Sequence, residues 1–134
     1  MDPEPQARVL AVDDELDNLE TLQRVFRREL ELTVASSGAA ALEEFRRAEF
    51  DVVLADYAMP GMNGIELLRE MSALAPHIHR VLLTAHADLR EVMAATATGL
   101  SAAVVPKPWD KESLLQLITS LARLTRARRA SRNP

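Results

Sequence analysis

Asp56 ends the apolar run Val52-Val53-Leu54-Ala55 and is followed by the turn Tyr57-Ala58-Met59-Pro60-Gly61-Met62-Asn63-Gly64. A strand that delivers a lone carboxylate into a Pro/Gly turn presents it at a sheet edge, where ligands of parallel α/β proteins bind. Three other places in the chain hold what such a carboxylate needs to accept a phosphoryl group: the acidic cluster Asp13-Asp14-Glu15, Thr84, and Lys107-Pro108. Carboxylates packed together repel, and a hard divalent cation with oxygen ligands is one way to keep them ionised near neutral pH. Mg2+ fits, because it uses one or two carboxylates together with water and phosphate oxygens. An aspartate is a weak nucleophile. Phosphoryl transfer asks mainly for positioning and charge neutralisation, however, which a cation on one side and Lys107 on the other would supply. Thr84 would donate its hydroxyl to a phosphate oxygen.

These residues span most of the chain, so a fold must gather them. Short apolar runs predict strands at Val9 to Val12, Leu32 to Ala35, Asp51 to Asp56, Val81 to Thr84 and Ala102 to Val105. Between them the spacing is helical: Leu19, Leu22, Phe26 and Leu30; then Leu42 and Phe45 after Ser37-Gly38; then Ile65, Leu68 and Met71 after Asn63, with Pro76 ending that region. Asp88 is placed to cap a helix containing Leu89, Val92 and Met93, and Asp110 to cap a last one with Leu114, Leu117, Ile118 and Leu121 on one face. Apolar strands alternating with helices imply an α/β protein whose parallel sheet is covered on both faces, with right-handed crossovers. In a parallel sheet all strand C-termini share one edge. Asp13 and Asp14 after the first strand, Asp56 after the third, Thr84 after the fourth and Lys107 after the fifth can therefore converge.

The 134 residues suit one domain, and no apolar stretch approaches the about 20 residues needed to span a bilayer. The start MDPEPQARVL has no basic lead into an apolar core, so it is not a secretory signal, and zero cysteines remove disulfides and thiolate metal sites. The cytoplasm is the expected compartment. Before Arg123 there are 11 basic and 20 acidic side chains, a balance of −9, whereas Arg123, Arg126, Arg128, Arg129 and Arg132 follow with no acid. The acidic part suits a cation site and disfavours nucleic acid as a direct ligand. Residues 1 to 7, with Pro3 and Pro5, read as a disordered lead, residues 8 to 124 as the domain, and 125 to 134 as a basic tail or linker, a solvated helix end.

The segments Asp56-Tyr-Ala-Met-Pro-Gly-Met-Asn-Gly and Val104-Val-Pro-Lys107-Pro108-Trp109, with the acidic pair and Thr84 in the matching order, resemble the receiver domain of two-component response regulators over about residues 7 to 124. The resemblance implies a doubly wound five-stranded sheet in the flavodoxin-like order 2-1-3-4-5. It further implies that Asp56 is phosphorylated by a sensor histidine kinase or phosphotransfer protein, and that Asp13, Asp14, Asp56 and the Ala58 carbonyl hold Mg2+. Thr84 and Lys107 would read out the phosphate, and Lys107-Pro108 would be a cis peptide. Such a domain is a switch rather than a turnover enzyme, limited to accepting and losing a phosphoryl group at Asp56. It would act on an output domain or protein, or on a second copy through the fourth and fifth helical elements. The alternative is a receiver-like scaffold that docks or dimerises without responding to phosphate. Its support is Val104, which stands where such domains commonly carry a ring. A dehalogenase-like phosphatase wants a second acid where Ala58 stands, and a dinucleotide fold wants G-x-G-x-x-G after the first strand, which is missing. His86 reads as a loop histidine, Trp109 as packing at the last helix start, and Met59 and Met62 as turn packing.

Overall fold

The computed structural model describes residues 4–132. Five strands, β1 (Ala7–Val12), β2 (Leu30–Ala35), β3 (Val52–Asp56), β4 (His79–Thr84) and β5 (Ala103–Pro106), form one parallel sheet in the order β2-β1-β3-β4-β5. Helices α1 (Leu16–Phe26), α2 (Gly38–Arg47), α3 (Gly64–Leu74), α4 (Arg90–Ala97) and α5 (Lys111–Arg132) alternate with them. The first crossover moves outward from β1 to β2 and the next three run the opposite way. A single hand of crossover therefore puts α1 on the face opposite α2, α3 and α4.

That is how the core divides. Leu10, Val12, Val53, Ala55 and Leu82 pack with Leu42, Phe45, Leu67, Leu68, Met71 and Val92. The alternating neighbours Val9, Ala11, Val52, Leu54, Val81 and Leu83 pack with Leu19, Leu22, Phe26, Leu114 and Ile118. Strands buried on both faces have no polar alternation to offer, which is why their runs are continuously apolar. Only β5 is largely half-exposed, and as an edge strand it tolerates Pro106, which has no N–H to give to a ladder.

Local chemistry sets most helix starts. Ser37 accepts the Ala40 N–H at 3.1 Å. Asn63 and Glu66 form a reciprocal capping box at α3, with bonds of 2.9 and 3.0 Å. Asp110 accepts the Ser113 N–H at 2.9 Å ahead of α5. Two expectations change. Leu30 belongs to β2 and not to the first helix, which ends at Phe26 in a turn closed by the Glu29 N–H on the Phe26 carbonyl. Asp88 does not cap α4: Leu89 occupies the cap position without a side-chain bond, and Met93 faces solvent at 60% exposure while Val92 and Ala95 face inward.

The far end of α5 is built into the domain where a solvated helix end was expected. Thr125 is fully buried, donating its hydroxyl to the Asp51 carbonyl at 2.7 Å and accepting the His79 N–H at 3.2 Å. Asp51, immediately before β3 and 2% exposed, accepts the Arg8 N–H at 2.9 Å, Arg126 at 3.0 Å and Arg129 at 3.1 Å. A buried carboxylate requires such partners, and it draws the basic residues onto the sheet. Arg123 pairs with Glu4 at 2.9 Å, so part of the expected lead is also engaged. Residues 1 to 3 of that lead and 133 to 134 of the tail lie outside the described residues.

Candidate functional site

Sheet register gathers the site. Val12 pairs with Ala55, so Asp13 falls beside Asp56; Asp56 pairs with Leu83, one residue short of Thr84; and Thr84 pairs with Pro106, one residue short of Lys107. The Asp13 N–H continues the ladder onto the Ala35 carbonyl at 3.2 Å, and the Lys107 N–H onto the Thr84 carbonyl at 3.0 Å. Each side chain is thus launched from one residue at or beyond a strand end. The Lys107–Pro108 peptide is cis.

One carboxylate oxygen from each of Asp13, Asp14 and Asp56 lies within 4.8 Å of the others. Asp13 and Asp56 are buried and Asp14 is exposed, which leaves the trio open on one side. The Lys107 ammonium donates to Asp13 Oδ2 at 2.9 Å and lies 3.5 Å from Asp56 Oδ1. Asp13 is held further by the Glu15 N–H on Oδ1 and by Asn18 Nδ2–H on Oδ2, both at 3.0 Å. Thr84 is fully buried and accepts the His86 N–H at 2.9 Å, which leaves its own O–H to donate. Ala58 lies in the exposed loop two residues past Asp56, and His86 is exposed on its loop.

Burial pushes the Asp56 carboxyl above the ordinary carboxylate range; Lys107 pulls it back and the Asp13 charge pushes it up again. Burial likewise works against the Lys107 ammonium, but the Asp13 hydrogen bond and the Asp56 charge outweigh it and hold Lys107 above its ordinary value. Two carboxylates therefore compete for one cation at the strand edge. A divalent ion bound by the trio would relieve that repulsion directly, so the donor set fits Mg2+: all oxygen, multiply charged, open on one side.

The packing residues behave as their sequence positions predict. Trp109 stacks on Phe26 with ring centroids 5.5 Å apart, and Met59 and Met62 pack on the α2–α3 side of the sheet. Two contacts have no sequence motif behind them. Asn18, five positions after Asp13, turns back from the first turn of α1 onto it. Tyr57, next to Asp56, donates its hydroxyl to Glu91 of α4 at 2.6 Å. Gly64 is required by close approach: a Cβ there would overlap the Asp56 carbonyl oxygen.

Fold and site together define a doubly wound α/β protein with a carboxylate trio and a lysine at the carboxyl edge of its sheet. The response regulator receiver domain family matches residues 9–119, and the chain belongs to it. It is 36% identical over 107 residues to the transcriptional regulatory protein ZraR of Escherichia coli K12, covering 79% of this chain and 24% of that protein. It is 30% identical over 113 residues to the hydrogenase transcriptional regulatory protein HoxA of Cupriavidus necator, covering 84% of this chain and 23% of that protein. The chain thus spans about a quarter of the length of these relatives. Among solved structures, a receiver domain protein of Clostridium thermocellum superposes with a TM-score of 0.84 at 28% identity, covering 90% of this chain and 98% of that one. The response regulator TrrA of Thermotoga maritima, solved in complex with Mg2+ and BeF, gives 0.77 at 28%, covering 87% and 99%. The order 2-1-3-4-5 is the one the family resemblance implies. Among the described residues no helix is long and apolar enough to cross a membrane.

Proposed function

We propose that this receiver domain is a phosphorylation-controlled switch in which Asp56 accepts a phosphoryl group from the phosphohistidine of a sensor histidine kinase or phosphotransfer protein. The observation that carries the reading is the Lys107 ammonium shared between Asp13 and Asp56 beside a third carboxylate, Asp14. An Asp56 carboxylate oxygen bonds to phosphorus as the donor's P–N bond breaks; the electron pair returns to the imidazole nitrogen, which takes a proton from solvent. Asp13, Asp14 and Asp56 would hold Mg2+ with the Ala58 carbonyl, and the bound ion would neutralise charge on the phosphoryl oxygens. Lys107 is within one side-chain reorientation of the same oxygens, and Thr84 offers them its O–H. Hydrolysis of the acyl phosphate resets the domain, so the chemistry is self-modification and not turnover of a substrate. The receiver unit is read as residues 8 to 124, with its output through α4, β5 and α5 to a further domain, a separate protein or a second copy. The relatives named as transcriptional regulators support an output domain in some proteins that carry this unit.

Incubation with Mg2+ and acetyl phosphate, followed by intact mass, should show one phosphoryl adduct that is absent from Asp56→Asn and absent without Mg2+. No adduct at any Mg2+ concentration would overturn the reading in favour of a receiver-like scaffold that docks without phosphate.

A further inference from the structure

Tyr57 is the residue through which the acceptor strand touches α4. Its backbone has little freedom: it follows Asp56 directly, and its carbonyl accepts the Gly64 N–H at 2.9 Å. Its Cα lies so close to Gly64 that a methyl group there would crowd it. The ring is half-buried among the side chains that pack on the α3–α4 side, with Leu89, Leu100 and Val104. Beyond it the hydroxyl donates to Glu91 Oε1 at 2.6 Å, a short bond to an ionised acceptor.

Helix α4 is otherwise lightly held. It has eight residues, no side-chain cap at Leu89, and only Val92 and Ala95 buried. Beside it, between α3 and α4, lies a cavity of about 420 Å³ lined by Ile65, Arg69, Ser72, Glu91, Ala94 and Leu100. The helix therefore has space into which it can shift, few contacts opposing the shift, and one strong polar contact to the residue after Asp56. Val104, on the neighbouring strand, has no polar group with which to compete for Glu91.

We propose that the Tyr57–Glu91 hydrogen bond couples the state of Asp56 to the position of α4. A phosphoryl group adds about −1.5 to −2 of charge next to the Tyr57 backbone. With that backbone locked to Gly64, the response falls on the ring, and the ring is tied to α4. Tyr57 is a positioning residue here: it touches no reacting atom. The proposal rests on Asp56 as the phosphoacceptor and adds how that site is read.

The test is amide hydrogen exchange over residues 90–97, with and without Mg2+ and beryllofluoride, in the unaltered protein, Tyr57→Phe and Glu91→Gln. Exchange in the unaltered protein should change about fivefold, the size of one net hydrogen bond. Both variants should lose that change while still forming the Asp56 adduct with acetyl phosphate to the same extent. Glu91→Gln approaches the bond from an exposed side chain, so it carries the test if Tyr57→Phe disturbs folding. An adduct at Asp56 with unaltered α4 exchange, or variants that respond like the parent, would overturn this proposal alone. Absence of any adduct in the unaltered protein overturns the phosphoacceptor reading beneath it.

Discussion

Asp51→Ala should cost this domain much of its stability although it lies at the end of the sheet away from Asp56. The carboxylate is 2% exposed and accepts three bonds, from the Arg8 N–H, Arg126 and Arg129, at 2.9 to 3.1 Å. Truncation leaves the Arg8 N–H unpaired and strands two guanidinium groups beside a cavity. Removing one partner of a buried ion pair costs about 3–5 kcal/mol. The Arg126 and Arg129 side chains keep 27% and 20% exposure and can turn partly to water. That places the loss near the lower end, about 3 kcal/mol, or about 10 °C in Tm for a domain of this size. Asp51→Asn keeps the shape and one acceptor oxygen and should lose about half as much. Urea unfolding followed by Trp109 fluorescence and far-UV circular dichroism measures both. A double-mutant cycle with Arg129→Ala should return a coupling of at least about 1 kcal/mol. Glu4→Ala, which removes exposed pairs with Arg123 and Arg126, should leave the urea midpoint nearly unchanged. An Asp51→Ala midpoint indistinguishable from that of Glu4→Ala would refute the clamp as an energetic feature.

Gly64→Ala should destabilise by about 2 kcal/mol, because its methyl group meets the Asp56 carbonyl and neither backbone can retreat; a neutral effect in urea unfolding would count against that close approach. In EDTA, Asp56→Asn should raise the urea midpoint at pH 7. The folded carboxyl titrates above its ordinary value of 3.8, so its favourable contribution is present below that pH and lost as pH rises through the folded value. The difference between parent and variant should shrink towards pH 3.8, and added Mg2+ should stabilise the parent more than the variant. A parent more stable than Asp56→Asn at neutral pH without Mg2+ would contradict the sign.

The strand-end carboxylates and Lys107 were legible because a parallel sheet makes sequence position equivalent to spatial position: whatever follows an apolar run lies at one edge. Asp13, Asp56 and Lys107 meet for that reason alone. Periodicity fails where two elements abut, as at Leu30, which keeps helical phase with Phe26 yet opens β2. It also fails in a short helix such as α4, where Met93 and Val92 are equally apolar and only the three-dimensional direction of the sheet separates them. Asn18 and the Tyr57–Glu91 pair carry no composition signal, since a single side chain reaching across a loop leaves no spacing to detect. The arginines of α5 misled for the opposite reason. A run of five cations reads as solvated until the buried Asp51, nearly eighty positions before Arg129, is placed under it.

The Asp51 clamp also decides where this unit can be divided and joined to something else. A fragment ending at Leu124 would leave a carboxylate in apolar burial with neither of its cations, so a graft needs its seam beyond Arg129. There the helix is continuous and rigidly based, and whatever is fused to it inherits a direction as well as a distance. Each residue inserted after Arg132 turns the fused partner by about 100° and advances it by about 1.5 Å. Helical phase, more than linker length, becomes the variable to scan when this receiver is used to drive a foreign output.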